Sequence, residues 1–376
     1  MGCLGTRWHR LMAVLPLAVL VAAAYPAGSV PASASTSVTS TATAGKLVVA
    51  AYFPWYGTPS GPTGTWVHWL DSNGNRIIKD HPYALYDSKD PGVMSLQLAM
   101  ASYVGIDAFA VSWWGAGTNE DQNFGSLLNT AASIGVPVRL AAQFETTGLA
   151  SGGASGITSQ LTYVLRNYAG KASYLRVAGR PVVFIYNPAA FSTNYDLWAA
   201  IIASPSIAQY NPFVIVDSFT DDAARVFDGI YTFAPFGPNL PFDPAALYAK
   251  YQAACAVARL HGKIFVPAAS PGFDDSAVRT PSTIIPRSDY LTYLETWGIA
   301  RDSQADWIFI DSWNEWHEAT ELEPSSEYGS SYLYATAILA AYFKAASPAA
   351  ATLANRVPSS LRSTIQAKVK AIRTVR

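Results

Sequence analysis

Short, strongly apolar runs recur between residues 47 and 345, and each is followed by a longer stretch whose apolar positions repeat with helical spacing. The pattern predicts strands at 47–53, 108–112, 138–144, 182–186, 213–217, 229–233, 264–268 and 307–312. It predicts helices at 93–103, 124–134, 157–168, 195–202, 221–227, 244–261, 288–299 and 331–343. Runs such as VVFIY and WIFID lack polar alternation, which suits parallel strands buried on both faces. Asp90-Pro91 and Asp243-Pro244 place a capping side chain and then a proline where two helices should start. Eight such strand–helix units predict an α/β chain folded as a single (β/α)8 TIM-type barrel over residues 47–345. The alternative, a doubly wound sheet, would need a glycine-rich phosphate turn after the first run, and none is there.

The ends read differently. Arg7 and Arg10 precede the apolar run 11–25, which Pro16 interrupts, and Ala32-Ser33-Ala34 matches a cleavage pattern. Residues 1–34 are therefore expected to be a secretory signal peptide, with the mature chain exported. A run of about 15 residues is short for a membrane span. Residues 35–46 form a Ser/Thr-rich leader, and 346–376 a basic C-terminal tail or terminal helix carrying Arg356, Arg362, Lys368, Lys370, Arg373 and Arg376. A solvated terminal segment is the expected reading of that tail, ahead of a face that docks on an anionic polymer or membrane.

Composition narrows the function. At 50% apolar and 13% aromatic, the chain has the means to bury a large core. Two cysteines, Cys3 and Cys255, cannot build a disulfide framework, and Cys255 sits in an Ala-rich helical stretch as a small apolar residue. A net charge of −1 offers no footprint for nucleic acid. No cluster has metal-ligand spacing, and Asp274 and Asp275 read as loop braces, so no metal and no cofactor are expected. A monomer that inserts into no membrane is expected.

Catalytic groups in such barrels sit at the C-terminal ends of the strands. The first strand is followed by Trp55, Tyr56, Trp66, His68 and Trp69, with Tyr52 at its end. The second is followed by Trp113 and Trp114, the third ends at Glu145, and the fourth at Tyr186 and Asn187. The eighth is followed by Trp313, Asn314, Glu315, Trp316, His317 and Glu318. Flat aromatics stack on sugar rings while carboxylates and amides bind hydroxyls, so a polysaccharide or oligosaccharide substrate is expected. Of these, Tyr52, Trp55, Tyr56, Trp66, His68, Trp69, Trp113, Trp114, Glu145, Tyr186, Asn314 and Trp316 are the candidate substrate contacts. For His68, Trp113, Glu145 and Tyr186 a purely packing or ion-pairing role stays open.

Glu315 and Glu318 are the candidate catalytic pair. In an extended chain they would point to opposite faces, whereas one helical turn brings their Cβ atoms to about 5–6 Å. A turn after the eighth strand is expected, with both carboxylates in the barrel mouth and His317 facing elsewhere. Repulsion between them would keep one protonated as the acid and the other ionised, the division that glycosidic cleavage needs. A solvated acidic loop including Glu321 and Glu323 is the alternative, and the flanking indoles argue against it.

The segment W-N-E-W-H-E-A-T-E-L-E-P, residues 313–324, resembles the W-N-E-W-H-E-G-T-Q-I-E-P signature of glycoside hydrolase family 99, the endo-acting α-mannosidases and α-mannanases. The segments Y-F-P-W-Y-G with W-V-H-W, S-W-W-G, Q-F-E, G-R-P-V-V-F-I-Y and S-P-G-F-D-D with Arg279 resemble it in order, together spanning most of residues 47–345. The resemblance implies a retaining mechanism through a 1,2-anhydro sugar: the Glu at position 315 takes the proton of the sugar's own 2-hydroxyl. The Glu at 318 protonates the leaving oxygen and then activates the water that opens the epoxide. It also implies that Glu145 contacts substrate, and that the cleaved residue is manno-configured, because only there is the 2-oxygen trans to the leaving group. Departures from the pattern include Ala319 for Gly, Glu321 for Gln, and Thr280-Pro281-Ser282 after Arg279 where the family has Pro-Trp-Asn. A hydrolase of another α-linked polysaccharide, such as an α-1,3-glucan, and a non-catalytic carbohydrate binder are the competing readings.

Overall fold

The computed structural model describes residues 45–238, 240–344 and 363. The expected signal peptide and nearly all of the leader and basic tail lie outside the described residues. Eight parallel strand positions follow one another in the order the apolar runs predict: β1 (Leu47–Tyr52), β2 (Ala108–Trp113), β3 (Arg139–Glu145), β4 (Arg180–Tyr186), β5 (Phe213–Asp217), β6 (Gly229–Tyr231), β7 (Ile264–Val266, resuming at Ala268–Ala269) and β8 (Trp307–Ile310). Each pairs in parallel with its sequence neighbour, and β1 pairs with both β2 and β8.

The sheet closes through β7. Its first part pairs with β6 and its second with β8, at Ala268↔Phe309 and Ala269↔Ile310. Pro267 divides the two parts; it has no N–H to give, but its carbonyl accepts from Phe309 N at 3.0 Å. The single run expected at 264–268 is therefore two short pieces serving different neighbours. Inside the barrel, Val49, Ala51, Ala108, Ala110, Phe184, Tyr231 and Phe309 belong to one buried apolar cluster. Small residues on β1 and β2 make room for the rings of Phe184, Tyr231 and Phe309, whose centroids lie 5.1–5.8 Å apart.

The surrounding helices are α1 (Pro91–Tyr103), α2 (Asn119–Ile134), α3 (Gly153–Tyr168), α4 (Tyr195–Ile202), α5 (Asp221–Val226), α6 (Pro244–Leu260), α7 (Leu291–Asp302) and α8 (Ser331–Phe343). Local chemistry fixes most starts. Asp90, Thr118, Asn194, Thr220 and Asp243 each accept from backbone N–H groups of the first turn, and proline follows Asp90 and Asp243. Helix α7 starts later than the expected residue 288, because Ser288, Asp289 and Tyr290 have φ of 49°, 49° and 71° and arch into it. Among the described residues, no helix is long and apolar enough to cross a membrane.

Candidate active site

The segment after β8 is a tight loop pinned at its base. Ser312 N donates to the Thr320 carbonyl at 3.0 Å, and the Ser312 and Trp313 carbonyls both accept from Leu322 N. Inside this loop Asn314 grips the end of β1: its Oδ1 accepts from Phe53 N at 2.8 Å and its Nδ2 donates to Phe53 O at 3.0 Å. Tyr56 Oη donates to the Asn314 carbonyl and accepts from Trp316 N. Glu315, between these clamped neighbours, also gives its N–H to Ser312 Oγ at 2.7 Å. The chain then turns, and Glu318 reaches the same cleft as Glu315.

That cleft has a volume of about 690 Å³, within the range of small-molecule sites. Its lining includes the charged and polar groups Glu315, His317, Glu318, Asp275 and Arg279. Trp55, Trp114, Gln143, Glu145 and Tyr186 line it too, and Phe233, Phe236, Phe273 and Val278 supply apolar surface. The two carboxylates have different partners. Glu315 Oε1 accepts the His317 backbone N–H at 3.0 Å and lies 3.1 Å from His317 Nδ1. Glu318 Oε1 accepts from Arg279 Nη1 at 2.6 Å, and the same nitrogen donates to Asp275 Oδ2 at 3.0 Å. Burial and then the neighbouring Glu315 charge push the Glu318 carboxyl up to about 7, against the pull of Arg279. In the same cleft, burial raises Glu145 to about 7, although Ser112 Oγ and Gln143 Nε2 hydrogen-bond to it at 2.7 and 2.9 Å. A paired acid and base facing one aromatic-lined hollow can protonate one oxygen while deprotonating another.

Glycosyl hydrolase family 99 matches residues 43–335, well over half of the sequence. The chain belongs to glycosyl hydrolase family 99. It is 23% identical over 317 residues to the glycoprotein endo-alpha-1,2-mannosidase of Rattus norvegicus, covering 74% of this chain and 67% of that one. It is likewise 23% identical over 323 residues to the human glycoprotein endo-alpha-1,2-mannosidase-like protein, covering 73% and 67%. Among solved structures it resembles the family 99 endo-alpha-mannosidase of Bacteroides thetaiotaomicron in complex with BIS-TRIS-propane, at 25% identity and a TM-score of 0.66, over 80% of this chain and 98% of that one. The family 99 membership makes this chain a glycoside hydrolase on a barrel of parallel strands.

Of the expected site residues, this family 99 chain brings Trp55, Trp114, Glu145, Tyr186, Glu315 and Glu318 to the cleft. Tyr52, Tyr56, Trp69, Trp113, Asn314 and Trp316 are instead buried beneath or behind it, and correct the expectation that they line it. Each has an internal partner. Tyr52 Oη donates to Gln97, Trp69 Nε1 to the Tyr86 carbonyl, Trp113 Nε1 to Asp121 and Trp316 Nε1 to Tyr86 Oη. Strand alternation explains Trp113 and Trp114: consecutive side chains take opposite sides, so one packs toward the helices and the other faces the hollow. Trp66 is 44% exposed and does not line the cleft. His68 stands one layer back, stacked on Trp55 at 4.4 Å, and burial and His317 lower its imidazole to about 4.

His317 was expected to face elsewhere, yet it lines the cleft. The expectation used regular helical spacing, whereas the loop here closes through a tight turn in which Ala319 adopts φ 48°. Arg279 and Phe233 also went unassigned as cleft residues; a lone arginine in a proline-containing loop carries no spacing signal. Two of the departures from the family 99 pattern, Ala319 and Glu321, have structural roles. Ala319 holds a left-handed backbone where glycine has no steric cost. Glu321 is buried, hydrogen-bonded to Arg287 and raised well above the usual carboxylate range by burial. Arg287 also donates to the Ala319 and Glu321 carbonyls and stacks on Tyr328 and Tyr332, so it ties down the far side of the catalytic loop. Among the described residues, no group of three or more His, Cys, Asp or Glu is placed to hold a metal ion.

Proposed function

We propose that this chain is an exported, endo-acting, retaining hydrolase of α-mannosidic bonds in mannan or mannose-rich glycans. The observation that carries the reading is the pair Glu315 and Glu318, set on one turn, reaching one cleft, and each held by its own basic partner, His317 and Arg279. The endo-alpha-mannosidase relatives support the substrate class.

In the proposed first step Glu315 accepts the proton of the mannose 2-hydroxyl while the 2-oxygen attacks C1. The C1–leaving-oxygen bond breaks as Glu318 protonates that oxygen, and a 1,2-anhydro sugar results. Glu318, now a carboxylate, takes a proton from water as the water oxygen attacks C1; the C1–O2 bond of the epoxide breaks, and the 2-oxygen recovers its proton from Glu315. Retention follows from the two inversions. Protonated Glu318 is compatible with its elevated titration near neutrality.

The experiment is a panel of α-mannans, α-glucans and mannose-rich N-glycans assayed for new reducing ends, with the anomer of the first product read by NMR. Expected are internal cleavage of α-mannosides and a retained α-configuration. Product from a glucan and none from any mannan overturns the substrate assignment. Glu318→Gln should lower turnover of an unactivated mannoside by about 10²–10⁴-fold. Export is inferred from the Arg7, Arg10 and Ala32-Ser33-Ala34 pattern; a secreted product beginning at Ser35 supports it, and retention of the full chain in the cell overturns it.

A further inference from the structure

The ring of His317 lies between two acceptors. Nε2 is 2.7 Å from the backbone carbonyl of His68, an oxygen that can only accept, so Nε2 must carry a proton. Nδ1 is 3.1 Å from Glu315 Oε1, an oxygen that already accepts the His317 backbone N–H at 3.0 Å. A neutral ring with its proton on Nε2 would set the Nδ1 lone pair against that oxygen. The arrangement is satisfied when Nδ1 also carries a proton, and the ring is then an imidazolium paired with the carboxylate.

We propose that His317 is the positioning partner of Glu315: its two ring N–H groups anchor on the His68 carbonyl and on Glu315 Oε1, which leaves Oε2 as the oxygen offered to the substrate. The inference rests on Glu315 being the base of the proposed reaction. The pairing fixes which carboxylate oxygen faces the cleft and places one positive charge behind it. The groups facing the ring are Glu315 on its own loop, His68, Trp55 and Tyr56 from the loop after β1, and the more distant Glu318. His68 stays neutral near pH 7, so it does not compete for the charge. Burial opposes protonation of His317, but Glu315 and the His68 carbonyl outweigh it and the net displacement is upward.

Two measurements test this. In the full chain labelled with ¹⁵N-histidine, the His317 ring should show two protonated nitrogens at pH 7. Its titration should move down by about one unit or more in Glu315→Gln, which keeps an acceptor but removes the charge. A neutral His317 at pH 7, or a titration unmoved by Glu315→Gln, overturns the proposal. This arm reads the pair directly and holds whatever the substrate proves to be, so a failure of the mannosidase assignment is seen separately, as absence of turnover by the wild-type chain. On a substrate that is turned over, His317→Leu should lower kcat by about a hundred-fold, and His317→Asn, which retains an amide donor for Glu315, by at least about ten-fold less. Equal losses in the two variants, or a wild-type kcat in His317→Leu, contradict the positioning role.

Discussion

Arg279 reaches Glu318 from the loop after β7, its Nη1 donating to Oε1 at 2.6 Å while also holding Asp275 at 3.0 Å. The guanidinium opposes the burial and the Glu315 charge that raise Glu318 to about 7. An acid must be protonated to act, so the step that depends on Glu318 slows as the pH rises through about 7. Arg279→Met removes the opposing charge and should move that alkaline limb to higher pH. The move should be less than about one unit, because the Arg279 side chain is 53% exposed and partly screened. A pH profile of kcat checks it, and an unmoved or lowered limb contradicts the assignment of Glu318 as the acid.

Several buried carboxyls titrate high in the folded chain: burial is the leading cause in Glu145 and Glu323, both raised to about 7, and in Asp217, raised to about 6. Between about pH 4.5 and 7 the folded chain holds protons that the unfolded chain has released, so these groups favour folding at low pH and lose that contribution as pH rises. Their part of the stability is complete below the ordinary carboxylate range, declines from about pH 4.5 upward, and is lost once the pH has passed about 7. Glu145→Gln keeps the acceptor for Ser112 and Gln143 but does not titrate. Its denaturant midpoint should therefore fall less steeply than the wild-type midpoint between pH 5 and about 7.5. Parallel curves would show that Glu145 is not protonated in this window.

The strand order and the position of the acid pair were legible because they follow from runs of buried residues and from a short motif. All eight apolar runs became barrel strands, since a strand buried on both faces has no polar position to blur its ends. What stayed hidden was the depth of each aromatic residue. Trp69 and Trp114 read alike in sequence, yet one hydrogen-bonds inward to the Tyr86 carbonyl and the other lines the cleft. His317 was misplaced for a related reason: the angle between neighbours in an irregular loop is set by long-range clamps such as Asn314 on Phe53, which no local periodicity reports.

Ala319 follows Glu318 directly with φ 48°, a left-handed conformation that costs an L-residue about 1–2 kcal/mol. Ala319→Gly relieves that cost but adds freedom to the unfolded chain worth about 0.5–1 kcal/mol. The variant should be more stable by about 0.5–1 kcal/mol. Chemical denaturation measures it, and a destabilised Ala319→Gly would mean that the methyl group of the buried Ala319 contributes packing that outweighs the strain.

Trp66 and Trp69 sit three residues apart on the loop after β1 and make opposite predictions. Trp69 is fully buried, stacks on Tyr56 at 4.1 Å and packs with Trp316 beneath the Glu315 loop. Trp69→Ala should cost about 3–5 kcal/mol, and the catalytic loop should lose activity with it, because Tyr56 is the group that clamps Asn314 and Trp316. Trp66 is 44% exposed and outside the cleft, so Trp66→Ala should change stability by no more than about 0.5 kcal/mol. With the cleft wall untouched, its kcat/KM on the shortest cleaved oligosaccharide should stay within about two-fold of wild type, below 0.5 kcal/mol in barrier. A large loss on that short substrate would place Trp66 at the reacting sugar and contradict its position outside the cleft.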